Sequence, residues 1–165
     1  AEQMINRIQF KNFFINLIII ITVFAIDRLT KYYILNLAEI ENSLDIYVTS
    51  YLNLYLIWNK GIAFGLLSVG EGVIYNFITV AIGIIILIII YMIWINDNIQ
   101  VFFLALILGG ALGNFYDRLI YKAVPDFIDL HFYGYHWFVF NVADIFITIG
   151  IFCLIITELF FYKKT

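Results

Sequence analysis

The chain has 165 residues, 64% of them hydrophobic and 13% charged, with a mean hydropathy of +0.99. A soluble domain is roughly 45–50% apolar and about 25% charged, so the composition excludes a soluble globular protein and points to an integral membrane protein. A net charge of −3 without a basic cluster excludes a nucleic-acid partner, and a lone cysteine, Cys153, excludes an internal disulfide.

A membrane span needs about 20 mostly apolar residues. Four segments meet this, over about 13–37, 73–95, 99–120 and 138–162. The first follows Arg7 and Lys11, as the apolar part of a signal peptide would, but no small-x-small cleavage site ends it. It runs into Asp27-Arg28, and we expect it to be a retained first helix. The second and third spans are separated only by Asn96-Asp97-Asn98, so they form a tight helical hairpin. Four spans put both termini on one side. Arg7, Lys11, Lys163 and Lys164 mark that side, Lys60 and Lys122 mark the other, and Arg28, Lys31 and Arg118 sit near the second face, so the count of positives does not decide. Those of the second face are mixed with acids and asparagines while the terminal ones are plain anchors, so we expect the termini in the cytoplasm.

Two connections are then extracytoplasmic, over about 38–72 and 121–137. In the first, Tyr51-Leu52-Asn53-Leu54-Tyr55-Leu56 alternates with the period of a half-buried strand, and Asn59-Lys60-Gly61-Ile62-Ala63-Phe64-Gly65 turns back towards the second span. In the second, Asp126-Phe127-Ile128-Asp129-Leu130 alternates in part, and Tyr133-Gly134-Tyr135 is a turn signal. Tyr47, Tyr51, Tyr55, Trp58, Tyr133, Tyr135 and Trp137 suit an interfacial belt. The expected architecture is a membrane all-α protein with a small β part. Four transmembrane helices carry an extracytoplasmic β-sheet and loop cradle at the membrane surface, as one integral domain over 1–165.

Charge is rare in this chain, yet residues 109–144 hold Asn114, Asp117, Arg118, Asp126, Asp129, Asn141 and Asp144. Gly109 and Gly113, four apart, allow a neighbouring helix to approach just below Asn114. Asn114, Asp117 and Arg118 share one face near the end of the third helix, and Asn141 and Asp144 share a face of the fourth. A charge at mid-membrane costs about 2.5–3.5 kcal/mol on insertion scales, so these acids need partners or work. Three readings compete. The acids pair with Arg118 and Lys122 to tie helix ends together. They hold a metal with His131 and His136. Or two of them form an aspartyl dyad sharing one proton, one carboxylate activating water and the other acting as acid. Spacing alone does not choose the pair. A small transporter or channel would use such acids as an ion path, but it would spread them through the bilayer, and here they cluster near one face.

The motifs themselves are more specific. GNFYDR, then PDFID, then FNVAD strongly resembles the lipoprotein signal peptidases, the type II signal peptidases of bacteria. Asp27-Arg28-Leu29-Thr30-Lys31 resembles that family's D-x-x-(S/T)-K segment, and Asn59-Lys60-Gly61-Ile62-Ala63-Phe64 its N-x-G-x-A-F segment. The five motifs stand in the family's order over nearly the whole chain. The resemblance implies a membrane aspartyl endopeptidase of the bacterial cytoplasmic membrane. It would remove the signal peptide from diacylglyceryl-modified prolipoproteins, cutting just before the lipid-bearing cysteine, without metal or other cofactor. Membrane lipids are its remaining partners, and one complete site per chain makes a monomer sufficient. Carried over by motif, the catalytic pair is Asp126 and Asp144. Asn59, Gly61, Asn114, Arg118 and Asn141 match substrate-site positions, and Asp27, Lys31 and Asp117 match supporting ones. Asp129 is left without a role. The family commonly has valine before the first catalytic acid; here Pro125 stands there and offers no backbone donor.

Overall fold

The computed structural model describes residues 2–41, 43–61 and 72–161. In chain order it has α1 (Glu2–Ile40), β1 (Asp45–Thr49), β2 (Leu52–Asn59), α2 (Val73–Ile95), α3 (Gln100–Tyr121), β3 (Val124–Phe132), β4 (Tyr135–Phe140) and α4 (Val142–Phe161). All four helices are long and apolar enough to cross a membrane. At 1.5 Å per residue the 22 residues of α3 span about 33 Å, the thickness of a bilayer's hydrocarbon core.

The four strands form one antiparallel sheet in the order β1-β2-β3-β4. Its strands continue from the C-terminal ends of α1 and α3 and lead into the N-terminal ends of α2 and α4, so the sheet sits at one end of the helices. Both strand-like segments expected from alternation are present. The sheet is larger than expected, because Asp45–Thr49 is a further strand and Tyr135–Phe140 is another, whose last three residues were expected to begin the fourth helix. An apolar run such as Phe138-Val139-Phe140 reads equally well as buried helix or strand. The boundary is set by Asn141, which caps α4.

α3 is the central helix, and the small residues explain its position. A Cβ on Gly109 would lie 2.7 Å from Val23 Cβ of α1, and a Cβ on Gly110 would lie 2.6 Å from the Ala143 carbonyl of α4. The glycine row therefore admits two helices, α1 on one side and α4 on the other. On a third side Ile86 and Ile89 of α2 pack against Leu104, Ile107 and Leu108. A second apolar cluster, Ile34, Leu44 and Phe127, joins the end of α1 to the sheet. The outward surfaces of α2 and α4 are apolar and exposed, as lipid-facing surfaces are. Asn12 Nδ2 donates to Asp97 Oδ1 at 2.7 Å and ties α1 to the α2–α3 turn.

Candidate active site

The acids of this end of the molecule fall into two groups with opposite surroundings. Asp27 and Asp117 are fully buried and face cations. Arg28 Nη1 and Nη2 donate to the two Asp117 oxygens at 2.6 and 2.8 Å, and Nη2 also donates to Asp27 Oδ2 at 2.7 Å. Lys31 Nζ lies 2.6 Å from Asp117 Oδ2 and 3.0 Å from Asp27 Oδ1. Two carboxylates and two cations thus form one neutral cluster between α1 and α3. Arg28 also lies over the Tyr116 ring, 4.8 Å from its centroid, a cation–π contact that shields the cluster's edge. Asp27 Oδ1 accepts the Ala143 N–H at 3.1 Å, which fastens the first turn of α4 to the cluster.

Asp126 and Asp144 are buried too, but the described residues give them only N–H donors of uncharged groups. Asn59 Nδ2 donates to Asp126 Oδ2 at 2.9 Å and Asn141 Nδ2 to Asp126 Oδ1 at 2.6 Å. Asn114 Nδ2 donates to Asp144 Oδ1 at 2.8 Å, and the Asn141 N–H to Asp144 Oδ2 at 3.2 Å. In return the Asp144 N–H donates to Asn141 Oδ1 at 3.2 Å. Asn141 and Asp144 are thus the N-cap and third residue of α4, joined reciprocally as in a capping box. One asparagine starts the helix, orients Asp144 and holds Asp126.

Each carboxyl is delivered by a different element. Asp126 comes from β3, where Val124-Pro125 begins the strand, and Pro125 sits opposite Trp58 of β2. Asp144 comes from the first turn of α4. They meet at a cavity of about 30 Å³ lined by Asn59, Asn114, Arg118, Val124, Asp126, Asn141 and Asp144. That is room enough to hold a water molecule. Burial pushes the Asp126 carboxyl up to about 6, with the Asp144 charge acting in the same direction and the Asn59 and Asn141 bonds and Lys31 opposing.

Arg118 forms the cavity's positive wall. Its Nη2 donates to the Gly61 carbonyl, while its buried Nε and Nη1 have no hydrogen-bond partner among the described residues. Tyr75 Oη donates to the Arg118 carbonyl at 3.1 Å. Asn59 Oδ1 accepts the Gly61 N–H at 2.8 Å and shapes the turn after β2. Ile62, Ala63, Phe64 and Gly65 lie outside the described residues.

Asn59, Asn114, Arg118, Asn141 and the two acids therefore line one cavity, with Gly61 behind Arg118. Asp27, Lys31 and Asp117 come together as the adjoining charge cluster. Pairing of these acids with Arg118 and Lys122 is not found among the described residues; Asp117 turns instead to α1. Arg28 was missed as a site residue. Its signal was its position, a second cation within four residues of Asp27 in an apolar helix. His131 and His136 gather on Asp129, not on Asp126 or Asp144.

The signal peptidase (SPase) II family model matches residues 19–160. The lipoprotein signal peptidase of Pelagibacter ubique (strain HTCC1062) is 69% identical over 159 residues, covering 96% of each chain. That of Francisella tularensis subsp. tularensis (strain SCHU S4 / Schu 4) is 42% identical over 152 residues, covering 90% of this chain and 93% of its own. A solved structure described as a bacterial membrane enzyme, determined by the in meso method at 2.3 Å, superposes with a TM-score of 0.73. It shares 30% identity over 91% of this chain and 92% of its own. A family match over most of the sequence and a shared fold agree with the motifs: the chain belongs to the signal peptidase II family and is a bacterial multi-pass membrane peptidase of prolipoproteins.

Proposed function

We propose that the peptidase is of the aspartic type and that Asp126 and Asp144 are its catalytic residues. The observation that carries this is the partition of charge. Among the five buried acids of the described residues, Asp27 and Asp117 are neutralised by Arg28 and Lys31 and Asp129 bonds His136, while Asp126 and Asp144 share one cavity with no paired cation. Two such carboxyls keep one proton between them. The ionised member takes a proton from the water as its oxygen attacks the scissile carbonyl carbon. The neutral member gives its proton to the carbonyl oxygen. The tetrahedral intermediate then collapses as a proton passes to the amide nitrogen and the C–N bond breaks. Arg118 Nε and Nη1 are free to donate to the carbonyl oxygen as charge develops there.

The substrate enters from the membrane side. An apolar groove lined by Phe140, Ile145, Thr148 and Ile149 opens onto Asp144 and suits an acyl chain or the apolar signal segment. The scissile peptide lies extended beside β3, just before the diacylglyceryl-modified cysteine. The active site faces the extracytoplasmic side, with both termini in the cytoplasm. Exposed Tyr47, Tyr133, Tyr135 and Trp137 support a sheet at the lipid–water boundary. Residues 1–165 act as one integral membrane unit, a monomer suffices because one chain supplies both acids, and membrane lipids are its surroundings.

The test is cleavage of a lipidated precursor by Asp126→Asn and Asp144→Asn variants in proteoliposomes. Each variant retains its melting temperature or gains on it, and loses cleavage by at least about a thousandfold. Normal processing by either variant refutes the dyad. Equal cleavage of the unlipidated precursor refutes the lipid requirement.

A further inference from the structure

The sheet carries a second group of titratable side chains that the proteolytic reaction does not use. We propose that Asp129, His131 and His136 bind one divalent transition-metal ion of the zinc class. The ligand atoms of the three residues lie within 4.8 Å of one another. His131 of β3 and His136 of β4 are partners across the hairpin, and their rings are 5.5 Å apart. Regular alternation would put Trp137, not His136, on the face of Asp129 and His131. The register shift between Leu130 and His131 re-aims the strand and brings His136 to that face.

Three buried atoms there lack hydrogen-bond partners among the described residues: Asp129 Oδ1, His131 Nδ1 and Asn53 Oδ1. Asn53 is the register partner of Asp129 on β2. Asp129 is 1% exposed, and its other oxygen is 2.7 Å from His136 Nδ1. His131 Nδ1 lies 3.9 Å from that same oxygen, too far for a hydrogen bond but within the span of two ligands each about 2.0–2.2 Å from one zinc ion. The His136 side chain is largely exposed, so its ring can move outward from Asp129 to admit an ion. Two imidazoles and a carboxylate suit zinc or copper rather than magnesium or calcium, which take oxygen ligands. Asp126 and Asp129 are three apart on a strand, so their side chains leave opposite faces of the sheet. The ion is therefore structural: it clips β3 to β4 and steadies the strand that presents Asp126.

The experiment is calorimetric titration of tag-free, detergent-solubilised protein with zinc chloride, alongside its thermal unfolding. One zinc ion binds per chain, with a Kd below about 100 µM, and the melting temperature rises; magnesium and calcium have no such effect. Single His131→Ala and His136→Ala variants each weaken binding at least about tenfold, whereas Asp126→Asn and Asp144→Asn leave it unchanged. Absence of saturable zinc binding overturns the proposal, as does binding that survives both histidine variants or is lost in the two aspartate variants. Stabilisation by acid alone, through the histidine range and without response to zinc, shows a protonated His136–Asp129 pair instead and equally overturns it.

Discussion

Replacing Asp117 by asparagine removes one negative charge from a buried cluster that is neutral as built. Arg28 loses a two-oxygen partner at 2.6 and 2.8 Å, Lys31 loses its 2.6 Å contact, and Asp27 alone is left to face both cations. Removing one member of a buried ion pair costs about 3–5 kcal/mol, because the remaining charge stays desolvated. For a chain of this size that lowers the melting temperature by roughly 10 °C. The loss is one of stability, because Asp117 lines no part of the cavity between the dyad acids. Below its own melting transition the variant keeps at least about a tenth of wild-type cleavage. Arg28→Gln in the same chain restores the balance of one acid and one cation. The double variant therefore recovers about 1–3 kcal/mol relative to the sum of the single losses. Thermal unfolding in detergent and single-turnover cleavage of a lipidated precursor read the two quantities separately. A variant that melts with the wild type, binds substrate normally and does not cleave would place Asp117 in the chemistry and refute this division of roles.

Asp126 has its carboxyl raised from 3.8 to about 6, so its ionisation opposes folding. The contribution to stability is whole below pH 3.8 and is lost as pH rises through 6; Asp126→Asn should therefore gain up to about 3 kcal/mol over the wild type at pH 8 and nothing at pH 4, and an equal gain at both refutes the reasoning. Asn114 stands between Lys31 and Asp144, at 2.8 Å from each, so Asn114→Ala lets the ammonium approach the dyad. The alkaline limb of its kcat/KM profile then moves about one unit to lower pH, and an unmoved limb shows that Asn114 does not separate these charges. Gly110→Ala puts a methyl group 2.6 Å from the Ala143 carbonyl, one residue from Asp144. Overpacking of this kind costs about 1–3 kcal/mol, and cleavage falls further than Gly83→Ala, whose added carbon meets only Phe115 at 3.4 Å.

Hydropathy made the helices legible because a span is a property of composition along one segment. It misjudged the start of α4 for the same reason, since Phe138-Val139-Phe140 is as apolar as the helix that follows. The true boundary was nevertheless written in the chain, because Asn141 and Asp144 have the spacing of an N-cap and the third residue of a helix. The pairing of Asp117 with Arg28 was not legible. The two are 89 positions apart, and nothing local distinguishes Arg28 from Arg118 as its partner. The gathering of His136 with Asp129 was hidden as well. It depends on one irregular step in a strand, which shifts a side chain from one face to the other without a marker in the sequence. Selection of Asp126 over Asp117 or Asp129 as the partner of Asp144 came from motif resemblance. The physical basis for that choice emerges once partners are visible, because Asp117 is neutralised and Asp129 leaves the opposite face.

The neutral cluster and the dyad depend on each other. A cation bonded directly to Asp126 or Asp144 would favour its ionised form and work against the shared proton that the proposed dyad needs. Two buried carboxylates without any nearby positive charge would instead both be driven to protonate. The site lies between these limits. Lys31 is close enough to act on Asp126 through space, yet Asp27 and Asp117 hold it, and the Asn114 amide separates it from Asp144. The orientation of that amide follows from its neighbours: the ammonium can only donate, so it takes the oxygen, and the –NH₂ group is left for the carboxylate. Asp27 completes the link by accepting the N–H of Ala143, so the charge cluster also fixes the turn of α4 that carries Asp144. Of the five buried acids among the described residues, Asp27 and Asp117 are thus neutralised, and through Ala143 Asp27 also positions the turn that carries Asp144.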